Sequence, residues 1–154
     1  MLKLDHIVFP VWNAQASLAF YRDVMGFALV DTYSGDDWGG YPWLMMFFAA
    51  HDGREVVLVS LRGAKKPRPD RLARDVRHLA SAAATVKALA GWRRKLAAKG
   101  VAFWEERHGP QHSLYLEDPN GTVLEITAPP SSPAKRTQRK ALAAAKRWIA
   151  QART

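Results

Sequence analysis

The chain has 154 residues, enough for one domain with its own core and too few for two of ordinary size. Hydrophobic residues make up 48% and cysteine is absent, which excludes disorder throughout, disulfides, thiolate metal sites and a cysteine nucleophile. The net charge of +9 is uneven: seven Lys/Arg and no acid lie within 129–154, leaving about +2 for the rest, so basicity says little about the body of the chain.

In chain order, LDHIVFPV (4–11) is apolar on both faces, as in a strand covered on both sides. Asn13 is placed to cap a helix over 14–25, where Ala16, Leu18, Ala19, Tyr21, Arg22 and Met25 recur at helical spacing, and Gly26 ends it. Strands are predicted at 27–33, 43–50 and 54–61, the last two joined by a turn at His51-Asp52-Gly53, where His51 faces solvent. The most apolar block, WLMMFFAA (43–50), is too short to span a bilayer, and the N-terminus reads as a strand rather than a signal peptide. A soluble cytoplasmic protein without membrane contact is the expectation.

A basic connector, RGAKKPRPDRLARD (62–75), separates this βαβββ series from a second one. A strand starts near Arg77-His78, a helix covers about 86–99 and ends at Gly100, and strands follow near 101–106, 112–117 and 122–127. The alanines of HLASAAAT (78–85) favour helix, and a strand is assigned there because the repeat requires one. The reading is one α+β domain over 1–128, with modules at about 1–61 and 76–128, followed by a basic tail over 129–154. In that tail PPSSP (129–133) is a linker, and Leu142, Ala145, Ile149 and Ala152 form one helical stripe. This C-terminal helix is expected to pack on its own body or a dimer partner rather than on nucleic acid or a membrane. Trp38, Trp43 and Trp104 are read as core residues, with the lining of an aromatic pocket as the alternative.

Glu125 stands between Leu124 and Ile126, and burying an ionised carboxylate is costly unless it is paired or bound to a metal. His6, inside the first strand of one module, and His78, opening the first strand of the other, occupy matching places in the repeat. Singly, each can be a hydrogen-bonded core residue; together the three form a candidate ligand set.

LDHIVFPVWNAQASLAFYRDVMGF (4–27), RHLA (77–80), WRRKLAAKGV (92–101) and SLYLEDPNGTVLEI (113–126) resemble the vicinal oxygen chelate superfamily. That group spans glyoxalase I, fosfomycin-resistance and bleomycin-resistance proteins, methylmalonyl-CoA epimerase and extradiol dioxygenases. The resemblance implies paired βαβββ modules curled into a cup around a divalent metal, with His6, His78 and Glu125 as ligands. Two neutral imidazoles and one carboxylate leave such an ion positively charged and open to two adjacent substrate oxygens. It also implies a small-molecule substrate and a homodimer.

Within the superfamily, glyoxalase I-like members add a carboxylate inside the fourth strand, whereas EVVLVSL (55–61) is apolar apart from Glu55 at its start. The fosfomycin-type threonine two residues after the first ligand is Val8 here, and the basic residue expected beyond Glu125 is missing. The last hairpin resembles the extradiol signature, which places a tyrosine ten residues before the glutamate ligand and then an acidic-Pro-x-Gly turn. Tyr115, Asp118-Pro119-Asn120-Gly121 and Glu125 match it.

If Pro119-Asn120-Gly121 form a three-residue loop with Gly121 left-handed, Asp118 pairs with Thr122 and Tyr115 falls opposite Glu125. A phenol there could donate a hydrogen bond to a substrate oxygen; aromatic packing is the alternative. His108 matches the signature's histidine by spacing, although Glu106 stands where a small or β-branched residue is expected. His112 is expected to face away from Tyr115.

The expectation is a metal-dependent enzyme, in its most concrete form an extradiol ring-cleaving dioxygenase using Fe(II) or Mn(II), with Tyr115 and His108 managing protons. The alternatives are a glyoxalase-like lyase, isomerase or thiol transferase using Zn, Ni or Mn, and a non-enzymatic, bleomycin-resistance-like drug binder.

Overall fold

The computed structural model describes residues 4–69, 71–129 and 138–151. The linker residues 130–133 and the stripe residue Ala152 lie outside the described residues.

The first module runs β1 (His6–Val11), α1 (Ala14–Ala19), β2 (Ala28–Trp38), β3 (Tyr41–Ala49) and β4 (Glu55–Leu61). The second runs β5 (His78–Ala82), α2 (Val86–Ala98), β6 (Phe103–His108), β7 (Gln111–Glu117) and β8 (Val123–Ala128), and α3 (Gln138–Gln151) follows. The strands form two four-stranded sheets of identical topology, β1–β4–β3–β2 and β5–β8–β7–β6. In each, the first strand pairs in parallel with the last and the remaining pairs are antiparallel.

Both helices start on side-chain caps: Asn13 Oδ1 accepts from the Ala16 N–H at 3.0 Å and Thr85 Oγ1 from Ala88 at 3.2 Å. The expected 14–25 helix is α-helical only to Ala19. It continues as π-helical turns over Phe20–Met25, which bury Phe20, Tyr21, Val24 and Met25.

Strand alternation sorts every sheet residue onto one of two faces. Val11, Leu58, Met46 and Phe48 of the first sheet, with Leu114, Leu116, Leu124 and Ile126 of the second, join Leu89 and Leu96 of α2 in one buried core. The modules are also pinned by polar contacts. Asn120 in the β7–β8 turn accepts from the Trp12 N–H at 2.9 Å and donates to Ser17 Oγ at 2.9 Å. The Tyr21 hydroxyl donates to Asp118 at 3.3 Å, and burial followed by the charge of Asp118 holds this phenol far above the usual tyrosine range.

The alanine-rich segment at 78–82 is a strand. Its partner β8 is buried along its whole length, so the backbone groups on that edge require a ladder partner, and this outweighs alanine's helical preference.

Strand bounds and the tryptophans need correction. Strand β2 extends to Trp38, and β6 lies two residues later than predicted, so that Glu106 and His108 belong to the sheet. None of Trp38, Trp43 and Trp104 is a core residue: Trp38 is exposed and the other two are half-buried. Trp38 and Trp43 meet edge-to-face on the β2–β3 ribbon, outside the buried core cluster. The C-terminal helix α3 buries none of its described residues against its own chain, one of the two surfaces expected for it.

Candidate functional site

The β7–β8 hairpin sets the site. The Asp118 N–H donates to the Thr122 carbonyl at 2.9 Å, and Gly121, at φ 84°, takes the left-handed conformation that closes the three-residue loop. The Asp118 side chain accepts from the N–H groups of Asn120 and Thr122, both at 2.8 Å, which holds the turn. Counting outward, Tyr115 pairs with Glu125, as the sequence predicts. Trp104 pairs with Tyr115 on one side and Ala80 with Glu125 on the other, so Trp104, Tyr115, Glu125 and Ala80 form a row across the face opposite the core.

Glu125 is 8% exposed, and both of its oxygens are engaged. Ser113 Oγ donates to Oε1 and shares a 3.0 Å hydrogen bond with Thr127 Oγ1. Oε2 lies 3.0 Å from His78 Nε2. The other ring nitrogen of His78 lies 2.6 Å from the Asp75 carbonyl, an acceptor only, so Nδ1 carries a proton. A neutral His78 therefore turns a lone pair towards a carboxylate oxygen, an arrangement that calls for a proton or a cation between them.

The spacing suits a metal ion. Two donors bound at right angles about 2.1 Å from one ion stand about 3 Å apart. The Asp75 carbonyl on His78 and the Ser113 hydroxyl on Glu125 are outer contacts of the kind that orient metal ligands.

The Tyr115 ring stacks on Trp104 at 5.3 Å and meets His78 edge-on at 5.8 Å. Its hydroxyl lies 3.3 Å from His108 Nε2. Burial, and then the neighbouring Glu125 carboxylate, push the phenol up to about 12, so Tyr115 is a proton holder and donor near neutral pH. His108 is also 3.3 Å from Glu106, whose other oxygen accepts from Trp104 Nε1 at 3.0 Å. The glutamate that departs from the signature thus braces both the histidine and the indole. Strand alternation puts His112 on the opposite face, and His51 is exposed.

His6 does not join His78 and Glu125 within the chain. Its ring contacts Asp5 at 2.8 Å on an open, exposed strand face, and among the described residues no three His, Cys, Asp or Glu side chains gather closely enough to hold a metal. In register, His78 pairs with Val123, two residues before Glu125, while His6 pairs with Glu55, two residues before Val57. The first-sheet position matching Glu125 is therefore the fully buried Val57, and Glu55 sits one step away from it. A cleft of about 710 Å³ lies elsewhere, at the far end of the first sheet, bordered by Trp12, Trp43 and Arg62. A smaller cleft of about 360 Å³ lies beside Arg74 and Trp104.

Sequence reasoning missed Ser113, Thr127, Asp75 and Glu106. Ser113 and Thr127 were within reach, since both stand two residues from a named site residue on the same strand face; Asp75 acts through its backbone, which no side-chain pattern reveals.

Comparison with known proteins agrees with this architecture. The family model described as Glyoxalase/Bleomycin resistance protein/Dioxygenase superfamily matches residues 3–126. A glyoxylase/bleomycin resistance protein/dioxygenase domain from Frankia sp. EAN1pec superposes with a TM-score of 0.68 at 19% identity, covering 82% of this chain and 97% of that one. The fosfomycin resistance protein FosX from Listeria monocytogenes, in complex with Mn(II) and sulfate, gives 0.63 at 18% identity, covering 84% and 94%. Lactoylglutathione lyase from Agrobacterium tumefaciens gives 0.59 at 21% identity, covering 81% and 92%. No curated protein matches the chain.

Proposed function

The chain belongs to the glyoxalase/bleomycin resistance protein/dioxygenase superfamily, and from that premise we propose that it is a metal-dependent enzyme acting on a small substrate with two vicinal oxygens. Its most concrete form is an extradiol-type dioxygenase. The carrying observation is the row on the open face of the second sheet, where His78, Glu125 and Tyr115 converge and His108 reaches the phenol.

His78 and Glu125 would hold the ion, with His6 of a second chain as the third ligand; His6 lies on an exposed strand face, which supports completion across a homodimer. Fe(II) or Mn(II) held by two imidazoles and one carboxylate supplies a chelation point for vicinal oxygens and open positions for dioxygen. The Tyr115 hydroxyl, protonated near neutral pH, donates a hydrogen bond to a substrate oxygen. His108, 3.3 Å from that hydroxyl, exchanges the proton, and Glu106 orients the imidazole. Trp104 excludes water from one side of the phenol by stacking on it. The open face of the first sheet carries Val57, Phe47, Met45 and Val59 in its central rows, an apolar wall that suits an aromatic diol.

Elemental analysis combined with oxygen uptake on catechols tests this. Iron or manganese with uptake abolished by His6→Ala is expected. Zinc, nickel or manganese without uptake would transfer the site to a lyase or thiol transferase, a second reading favoured by the structural likeness to FosX with Mn(II) and to lactoylglutathione lyase. Absence of metal, with small-molecule binding indifferent to His6→Ala, would leave a binding protein. Light scattering at micromolar concentration should show a dimer; a monomer would remove the route by which His6 reaches the ion.

A further inference from the structure

We infer that the C-terminal helix α3 is an arm that docks on the β2–β3 ribbon of a second copy of this chain. This inference rests on α3, which lies beyond the residues that the family model matches, and on a ribbon that borders the apolar wall of the first sheet through the Tyr33–Phe47 contact.

The two surfaces are complementary in charge. Described α3 holds four cations, Arg139, Lys140, Lys146 and Arg147, and no acid. Residues 24–53, which contain the ribbon, hold four aspartates and neither Lys nor Arg. Of these, Asp31, Asp36 and Asp37 are exposed and have no ion-pair partner among the described residues. Asp31 and Asp37 accept only short-range bonds on their own strand or turn, from the Thr32 and Gly40 N–H groups and the Tyr33 phenol.

Both surfaces are also apolar and uncovered. At about 100° per residue, Leu142, Ala145, Trp148 and Ile149 fall within a sector of about 120°, and the four cations fill a separate one. Leu142, Trp148 and Ile149 are 53%, 71% and 55% exposed. On the ribbon, Val30, Tyr33 and Trp38 are 52%, 54% and 47% exposed. Apolar side chains bordered by cations therefore face apolar side chains bordered by carboxylates, and docking removes both from water.

A second copy is the occupant that fits. No described residue of α3 is buried against its own chain, which leaves its apolar sector available to a second copy. Nucleic acid would use the cations and leave the apolar sector wet. An anionic membrane would use both sectors of the helix but leave the acidic ribbon uncovered.

The test is hydrogen exchange across residues 138–151 of the full chain, with charge reversals on each side. Wild-type α3 should show protection that rises with protein concentration. Reversing the ribbon (D31K/D36K/D37K) or the helix (K146E/R147E) should each lower it by about tenfold, from the summed loss of several exposed pairs. Mixing the two variants in equal amounts should restore part of it, since the basic helix of the ribbon variant then meets the acidic ribbon of the helix variant. Unchanged exchange in α2 and β8 reports that the variants fold, and the helix variant, which leaves the body untouched, keeps the test open if the ribbon variant does not. The inference is overturned if wild-type α3 is unprotected, or if protection is independent of concentration and mixing fails, the sign of docking within one chain. Protection that appears only with phosphatidylglycerol vesicles or duplex DNA also overturns it. Sedimentation of the helix variant, whose substitutions lie outside the metal cup, separates this contact from a dimer held through that cup.

Discussion

The two sheets are built on one plan and differ on one face. Towards the core they match in kind: Val56, Leu58, Met46 and Phe48 of the first sheet correspond by register to Leu124, Ile126, Leu114 and Leu116 of the second. On the opposite face the same registers set Val57 against Glu125, Phe47 against Tyr115, Met45 against Ser113 and Val59 against Thr127. A carboxylate, a phenol and two hydroxyls occupy one sheet where the other has two valines, a phenylalanine and a methionine. Only the histidine that opens each module, His6 or His78, is retained in both. The core faces are constrained by packing, since any polar atom there must find a partner. The opposite faces are buried as well at Val57, Val59, Ser113, Tyr115 and Glu125; on the second sheet the polar groups there satisfy one another by hydrogen bonds, and on the first the same rows hold none to satisfy.

The sharpest way to break that comparison is to move a charge across it. Val57→Glu puts an unpaired carboxylate at a fully buried position and should cost about 3 kcal/mol, read from the urea midpoint of metal-free protein. An unchanged midpoint would mean that the first sheet accepts the chemistry of the second, and that the asymmetry has no energetic basis. The reciprocal Glu125→Val should lower metal affinity by at least about 100-fold, more than is typical for an outer contact, while the chain stays folded; titration calorimetry with Mn(II) measures it. Retention of wild-type affinity would remove Glu125 from the ligand set.

Ser113→Ala makes a smaller change, freeing one oxygen of Glu125. It should weaken the metal by about tenfold in the same titration, and no change would mean that the hydroxyl only fills space. A change read by pH rather than by metal belongs to Tyr115. Its folded value, about 12, lies above the ordinary 10.0, so the folded state holds this proton more tightly than the unfolded chain. The associated stability is complete below pH 10 and is lost as pH rises towards 12. Tyr115→Phe should therefore flatten the fall in stability over that window, as read from denaturation midpoints; an unaltered slope would place the phenol in an unperturbed setting.

Much of the fold is legible because its cues are local. Asn13 before an amphipathic run, the glycines Gly26 and Gly100 after the helical segment of each module and the Asp118-Pro119-Asn120-Gly121 turn each specify their element through a few neighbouring dihedrals and hydrogen bonds. The turn carries further than the rest, since its loop length alone places Tyr115 opposite Glu125. The strand at His78–Ala82 illustrates the opposite case: its residues prefer helix, and only the repeat, and in the structure the buried strand β8, make it extended. The tryptophans mislead because hydrophobicity does not say which side chains the core encloses.

The sequence by itself determined the two-module plan, the register of the last hairpin and the presence of a buried glutamate in need of a partner. Only the tertiary structure decided that the partner within the chain is His78, that Ser113 and the Asp75 carbonyl hold the pair, and that His6 faces outward on a different sheet. The reason is one of range: turns and alternation act over a few residues, whereas convergence of side chains depends on how two sheets are docked through Asn120, Tyr21 and a shared core.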